Sequence, residues 1–359
     1  MSLDRQFFDD VPKAQLHLHM DGALTVEDIW AISQKLGIQL PGLPEQTRQA
    51  LEAFYRVQPG ARFDTKEKFD AFLAKFGPTI ALMQTPQGIQ QAAQAHVRDL
   101  AREKHVYAET RFAPQYHRGQ GMTLQDIIHE ALLGLQAGYL ETGTLVKLIV
   151  SIGRECDNET SMAVARAAAA FHENGVVALD LACNEELYPP ERHVDAYRIA
   201  TGAKLNRTVH AGEFPTKHHV RVRNMLTALT DLQANGLGHA ISLGREDGII
   251  DRVVRDEVRI ESCPLSNIKT GGIQDIRELK LRKLLDRGVK VSLSTDDPLM
   301  FDTSMADVLE ATAEACRFDI EDIRKLTGNA VESAFCTDEE RDRVRREFKR
   351  RSFALTPPS

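Results

Sequence analysis

Arg207-Thr208-Val209-His210-Ala211-Gly212-Glu213 is the stretch whose reading decides the fold. A short β-prone run ends in a histidine, a glycine turns the chain out of the strand, and a glutamate follows at once. Three other segments end in the same manner: Leu16-His17-Leu18-His19, Leu237-Gly238-His239 and Ser294-Thr295-Asp296-Asp297-Pro298. Working outward from them, strand-like runs occur at 14–19, 106–112, 145–152, 176–182, 207–211, 236–239, 259–262 and 290–295. Between them lie longer segments of helical spacing, such as Leu124, Ile127, Ile128, Ala131, Leu132 and Leu135. Strands alternating with helices imply right-handed β-α-β units and a parallel sheet. Eight of them in this length predict an α/β fold of the (β/α)8 TIM-barrel type.

The chemistry-bearing residues fall at the ends of the first, fifth, sixth and eighth predicted strands, the face on which such barrels carry their active sites. The first crossover, 25–104, holds several helical patterns, including 65–76 and 86–104, and reads as a helical insertion over the barrel mouth. Helices at 303–316, 319–331 and 337–350 are predicted to close the C-terminal end. No Gly/Ser or Pro linker interrupts the chain, so 1–359 reads as one domain.

A formal charge of −7 and a pI near 6.0 argue against a nucleic-acid surface, which needs clustered Lys and Arg. The five cysteines, odd in number and without C-x-x-C spacing, suit free thiols in a reducing compartment. The N-terminal stretch is acidic, with no apolar core of a leader, and no run approaches the length of a membrane helix. A cytoplasmic protein with no membrane partner is expected. The oligomeric state stays open.

His17 and His19 are two apart on a strand, so both side chains share one face. Alone the pair is weak. With His210 and Asp296 it becomes three imidazoles and a carboxylate, a donor set suited to one zinc ion with a position left for water. No lysine stands where a carbamylated bridge between two metals would be expected, and no H-E-x-x-H helix occurs. Bound zinc lowers the pKa of its water, so hydroxide forms near neutral pH. His239 is placed to orient that water or take its proton. Glu213 is a candidate general acid/base with a raised pKa. Blander readings stay open: Asp296 as a helix N-cap, His239 as a core histidine, Glu213 as a surface carboxylate.

The chain resembles the adenosine deaminase family over nearly all its length. The motifs are Pro12-Lys13-Ala14-Gln15-Leu16-His17-Leu18-His19-Met20-Asp21-Gly22, Val106-Tyr107-Ala108-Glu109-Thr110-Arg111-Phe112-Ala113-Pro114, the 207–213 stretch, Cys263-Pro264-Leu265-Ser266-Asn267 and the 292–298 stretch. The resemblance implies zinc held by His17, His19, His210 and Asp296, with His239 orienting the hydroxide and Glu213 protonating the purine nitrogen beside the attacked carbon. It implies that Asp297 shares a proton with the imidazole side of the base and that Asp21 binds the ribose 5′-hydroxyl. Relatives acting on free adenine tend to carry Glu at that last position, so a purine nucleoside is the expected small-molecule substrate. Phe72, Leu73 and Phe76 resemble the family's apolar lid helix, although a helix-core reading stays open.

Two residues depart from the family pattern. Cys183 stands where a glycine usually gives its N–H to the base, and Ala240 follows the sixth-strand histidine where glycine is usual. Both add bulk near the substrate. The expected reaction is hydrolytic deamination of adenosine, and of 2′-deoxyadenosine, to the 6-oxo purine nucleoside and ammonia. Adenine, a 5′-modified adenosine or aminodeoxyfutalosine are the alternatives, with a non-catalytic binding barrel behind them.

Overall fold

Eight parallel strands follow one another in sequence order around a barrel in the computed structural model, which describes residues 3–58, 60–213 and 216–354. They are β1 Lys13–His19, β2 His105–Phe112, β3 Leu145–Gly153, β4 Val176–Ala182, β5 Asn206–Ala211, β6 Gly236–His239, β7 Arg259–Ser262 and β8 Val291–Leu293. All eight expected strands are present. The eighth is shorter than its apolar run, because the chain leaves extended geometry at Asp296, whose φ is +70°. Closure passes through that same residue. His19 N–H donates to Asp296 O at 3.0 Å and Asp296 N–H to His17 O at 3.2 Å. β1 is thereby bridged to the segment after β8.

The first crossover carries the helical insertion. Helices Val26–Leu36, Arg48–Tyr55, Lys66–Ala74, Gly77–Leu82 and Pro86–Arg102 occupy it. The last begins as its sequence demands: the Thr85 hydroxyl accepts from Gly88 N–H, and Pro86 takes a position where no N–H is needed. Phe72 is buried and stacks on Phe301 at 5.1 Å, whereas Leu73 is 46% exposed. The expected lid helix therefore divides, one aromatic in the core and one leucine towards solvent. Helices Met305–Cys316, Ile320–Glu332 and Asp338–Ala354 follow β8, as expected. No helix among the described residues is long and apolar enough to cross a membrane, and all five cysteines are free.

Parallel strands covered on both faces normally read as continuous apolar runs. Here β2, β4 and β7 carry Glu109, Arg111, Asp180, Arg259 and Glu261, all 0–1% exposed, inside the barrel. Arg259 sits lowest in this column. Its Nη2 donates to Glu109 Oε2 and Glu261 Oε1, at 2.5 and 2.7 Å, and its guanidinium lies 3.4 Å from the Phe335 ring centroid. Glu109 Oε1 in turn accepts from Tyr107 Oη and Phe335 N–H. Removing one member of a buried ion pair strands the other, so Glu109→Ala should lower unfolding free energy by roughly 3–5 kcal/mol. Urea denaturation read by circular dichroism checks this; a loss below ~1 kcal/mol would mean the pair is dispensable.

Candidate active site and metal centre

β1 turns His17 and His19 into the barrel mouth, β5 brings His210, and the closing bridge fixes Asp296 between them. His17 Nε2 lies 3.0 Å and His19 Nε2 3.2 Å from His210 Nε2. Asp296 Oδ1 is 3.3 Å from Nε2 of both His17 and His19. Two ligand atoms of one tetrahedral zinc, each at about 2.0–2.1 Å, lie ~3.3 Å apart. Asp296 Oδ1 is buried and without a hydrogen-bond partner. The four residues form a group able to hold a metal ion. Asp296 caps no helix: Ser304 is the N-cap of Met305–Cys316.

The outward nitrogens support the same reading. His17 Nδ1 faces Glu261 Oε2 at 2.9 Å, and His210 Nδ1 faces Asp180 Oδ1 at 3.1 Å. An ionised carboxylate only accepts, so each Nδ1 carries the proton and each Nε2 lone pair points to the centre. Arg111 lies between the two carboxylates, 2.7 Å from Glu261 and 3.4 Å from Asp180. The connected column holds the carboxylates of Glu109, Asp180, Glu261 and Asp296 but only the guanidiniums of Arg111 and Arg259. It is short of two positive charges, which one divalent ion would supply. Gly238 makes room: a Cβ there would stand 2.6 Å from His17 Cε1.

Without a cation the electrostatics shift onto His19. Burial opposes its charge, yet the Asp297 and Asp296 carboxylates raise it to about 9. Burial lowers His17 and His210, keeping them neutral as ligands must be. Cys263, near His17, His239 and Asp296, is pushed up by burial and stays a thiol.

Beside the ligands stand three acid–base groups. His239 Nδ1 pairs with Asn267 Oδ1 at 2.8 Å and so carries the proton, while its buried Nε2 has no partner. That Nε2 is 3.7 Å from Glu213 Oε2 and 3.9 Å from Asp296 Oδ2. Glu213 is raised by burial, with the Asp296 and Glu185 charges adding to it against His239. Asp297 is raised well above the usual carboxylate range by burial and then by Asp296. Gly22 is required beside it, because a Cβ there would meet Asp297 Oδ1 at 1.8 Å. Asp21 is 6% exposed, on the turn after β1. His17, His19, Asp21, His210, Glu213, His239, Asp296 and Asp297 thus lie together at this end of the barrel.

Sequence reasoning assigned no role to the residues that hold these in place. Arg111 stood in the quoted second-strand motif with no role attached, and Asp180 and Glu261 as charges inside otherwise apolar strands. Ser266 Oγ donates to Asp296 Oδ2 at 2.7 Å. Glu185 accepts from Gly212 N–H at 2.9 Å and Glu213 N–H at 2.6 Å, fixing the turn that aims Glu213. Arg154 reaches between β4 and β5, donating to Leu181 O and His210 O. Those strands pair in register only at Ala178–Asn206 and Leu179–Arg207, and the guanidinium fills the splay.

A barrel of eight parallel strands with this constellation at its C-terminal face is an enzyme of the metal-dependent hydrolase kind. Residues 12–350 match the family model for adenosine deaminase. An adenosine deaminase of Mycobacterium ulcerans is 32% identical over 96% of both chains. An adenine deaminase of Arthrobacter aurescens superposes with a TM-score of 0.80 at 24% identity, covering 95% of this chain and 98% of that one. A zinc-bound amidohydrolase of Burkholderia ambifaria gives 0.81 at 22% identity, covering 99% and 96%. The chain belongs to the adenosine deaminase family. Its chemistry is hydrolytic deamination of an adenine-type group.

The departures from the family pattern lie on strained backbone. Cys183 has φ +77° and Ala240 φ +48°, in the left-handed region that favours glycine. Such a conformation costs a non-glycine residue about 1–2 kcal/mol, and glycine's greater freedom when unfolded offsets part of the relief. Cys183→Gly and Ala240→Gly should therefore each raise stability by up to about 1 kcal/mol in thermal unfolding. A fall in Tm for both would show that side-chain contacts outweigh the strain.

Proposed function

We propose that this enzyme deaminates adenosine and 2′-deoxyadenosine with one zinc ion per chain, releasing ammonia and the 6-oxo purine nucleoside. The convergence of three Nε2 atoms and Asp296 Oδ1, with Glu213 and His239 Nε2 beside them, carries this reading. The zinc would be held by His17, His19, His210 and Asp296, and when bound would lower the pKa of a coordinated water towards neutrality.

The protein's own groups divide the proton work. His239, its Nδ1 proton engaged by Asn267, presents Nε2 to accept a proton from the attacking water and to return it to the departing amino group as the C–N bond breaks. Glu213, its pKa raised by burial, donates to the ring nitrogen beside the amino-bearing carbon, which makes that carbon electrophilic. Asp297, its pKa raised well above the usual carboxylate range by burial, shares a proton with the imidazole side of the base. The N–H of Cys183 serves the base edge. Asp21 accepts from the ribose 5′-hydroxyl. Glu213 and Asp297 are raised while Asp296 is held well down, burial opposing its charge but the charged His19 beside it stabilising it. Carboxyls driven apart in this way separate proton donors from the ligand.

Free adenine offers nothing to Asp21, and a 5′-phosphate would bring like charge to it. A nucleoside is therefore favoured over both. The exposed Cys183 side chain at the base edge is the feature that favours another 6-aminopurine, such as a 5′-modified adenosine or aminodeoxyfutalosine, through altered placement of the ring.

Loss of the 6-aminopurine absorbance across adenosine, deoxyadenosine, methylthioadenosine, adenine and aminodeoxyfutalosine tests the substrate. Adenosine is expected to exceed adenine by several orders of magnitude in kcat/KM; preference for adenine would overturn the role of Asp21. Glu213→Gln should retain metal and lower turnover by at least about 10²-fold. Glu261→Gln should weaken metal binding by about 10–100-fold, read by chelator competition. Two ions per chain in metal analysis would sink the single-metal assignment.

A further inference from the structure

His117 ends the short turn Pro114–Tyr116 after β2, next to the turn Met20–Gly22 after β1. It is fully buried, and neither ring nitrogen has a hydrogen-bond partner. A neutral imidazole has one N–H and one lone pair, and leaving both unpaired away from water is costly. His117 Nε2 lies 3.8 Å from Asp21 Oδ2, just too far for a hydrogen bond. Its ring packs against Phe112 at 5.5 Å, so the imidazole is held from behind. Asp21 is on a tight turn at the site mouth and 6% exposed. A bound substrate would displace the little water that reaches it.

We propose that His117 is the positioning residue for Asp21: its Nε2–H donates to one carboxylate oxygen and leaves the other to accept the substrate's 5′-hydroxyl. The proposal rests on the reading of Asp21 given above. In the free enzyme the pair stands slightly apart. When substrate covers Asp21, a movement of under about 1 Å brings the two atoms within bonding distance. The imidazole then replaces the lost water as donor. A carboxylate held from behind discriminates sharply between a hydroxyl and a group that cannot donate, whereas an unheld one can turn away. His117 thus acts on selectivity at the 5′ position through Asp21, without touching the reacting atoms.

The test compares kcat/KM for adenosine and 5′-deoxyadenosine, whose ratio cancels any general loss of activity. The wild-type ratio is expected to be about 10²-fold or more. His117→Phe keeps the ring that packs on Phe112 but has no N–H, and should lower the ratio at least about tenfold. His117→Gln, which retains an amide donor, should recover part of it. A His117→Phe ratio within about twofold of wild type overturns the proposal, as does a loss shared equally by both substrates. Should His117→Phe fail to fold, His117→Ala takes its place with the same criterion. A wild-type ratio near one instead removes Asp21 from 5′ recognition, and His117 with it; that outcome is seen before any variant is made.

Discussion

The barrel interior is a column of buried charge, and the rest of the structure depends on how that charge is balanced. Arg259 neutralises Glu109 and part of Glu261 at the bottom, and Arg111 lies between Glu261 and Asp180 one layer higher. Above them the same two carboxylates hold the Nδ1 protons of His17 and His210. Replacing such a network with apolar side chains often stabilises a protein. Its retention here is explained by what it does at the top, where it fixes two imidazole tautomers and leaves a deficit of positive charge. Fold and candidate cation site are one electrostatic system.

Barrel closure belongs to the same system. The bridge between β1 and the segment after β8 is made by the backbone of His17, His19 and Asp296. A small displacement of that seam would move three of the four converging ligand groups together. The backbone also turns sharply at this rim. Cys183, Gly212, His239, Ala240 and Asp296, at the ends of β4, β5, β6 and β8, all have positive φ. Each sharp exit turns a side chain or an N–H towards the centre instead of along the strand. Strain of this kind persists where surrounding contacts over-determine it, and here Arg154, Glu185, Asn267 and Ser266 do so.

Burial then sorts the titrating groups. Glu213 and Asp297 are driven towards their protonated forms, while Asp296 is held ionised beside the charged His19. Carboxyl groups within one small space therefore hold different charge states at one pH. The arrangement suits the reaction proposed above, in which a ring nitrogen gains a proton while water loses one.

The strand–helix alternation was legible because parallel strands and amphipathic helices impose different periods on apolar residues, and all eight strands lie where those periods change. The residues with site chemistry were legible too, since His17, His19, His210, His239 and Asp296 stand at strand ends in a fold whose strand ends meet. The sequence by itself determined which side chains were available and on which strand each sits. Only the tertiary structure decided the tautomers, the shifted carboxyls and the contacts of Arg111, Asp180, Glu261 and Glu185. These depend on contacts between residues 27 to 244 positions apart in the chain, such as Glu185 with Gly212 and His17 with Glu261. Charge and hydrogen-bond partners at that separation are set by barrel closure, and no local pattern encodes them.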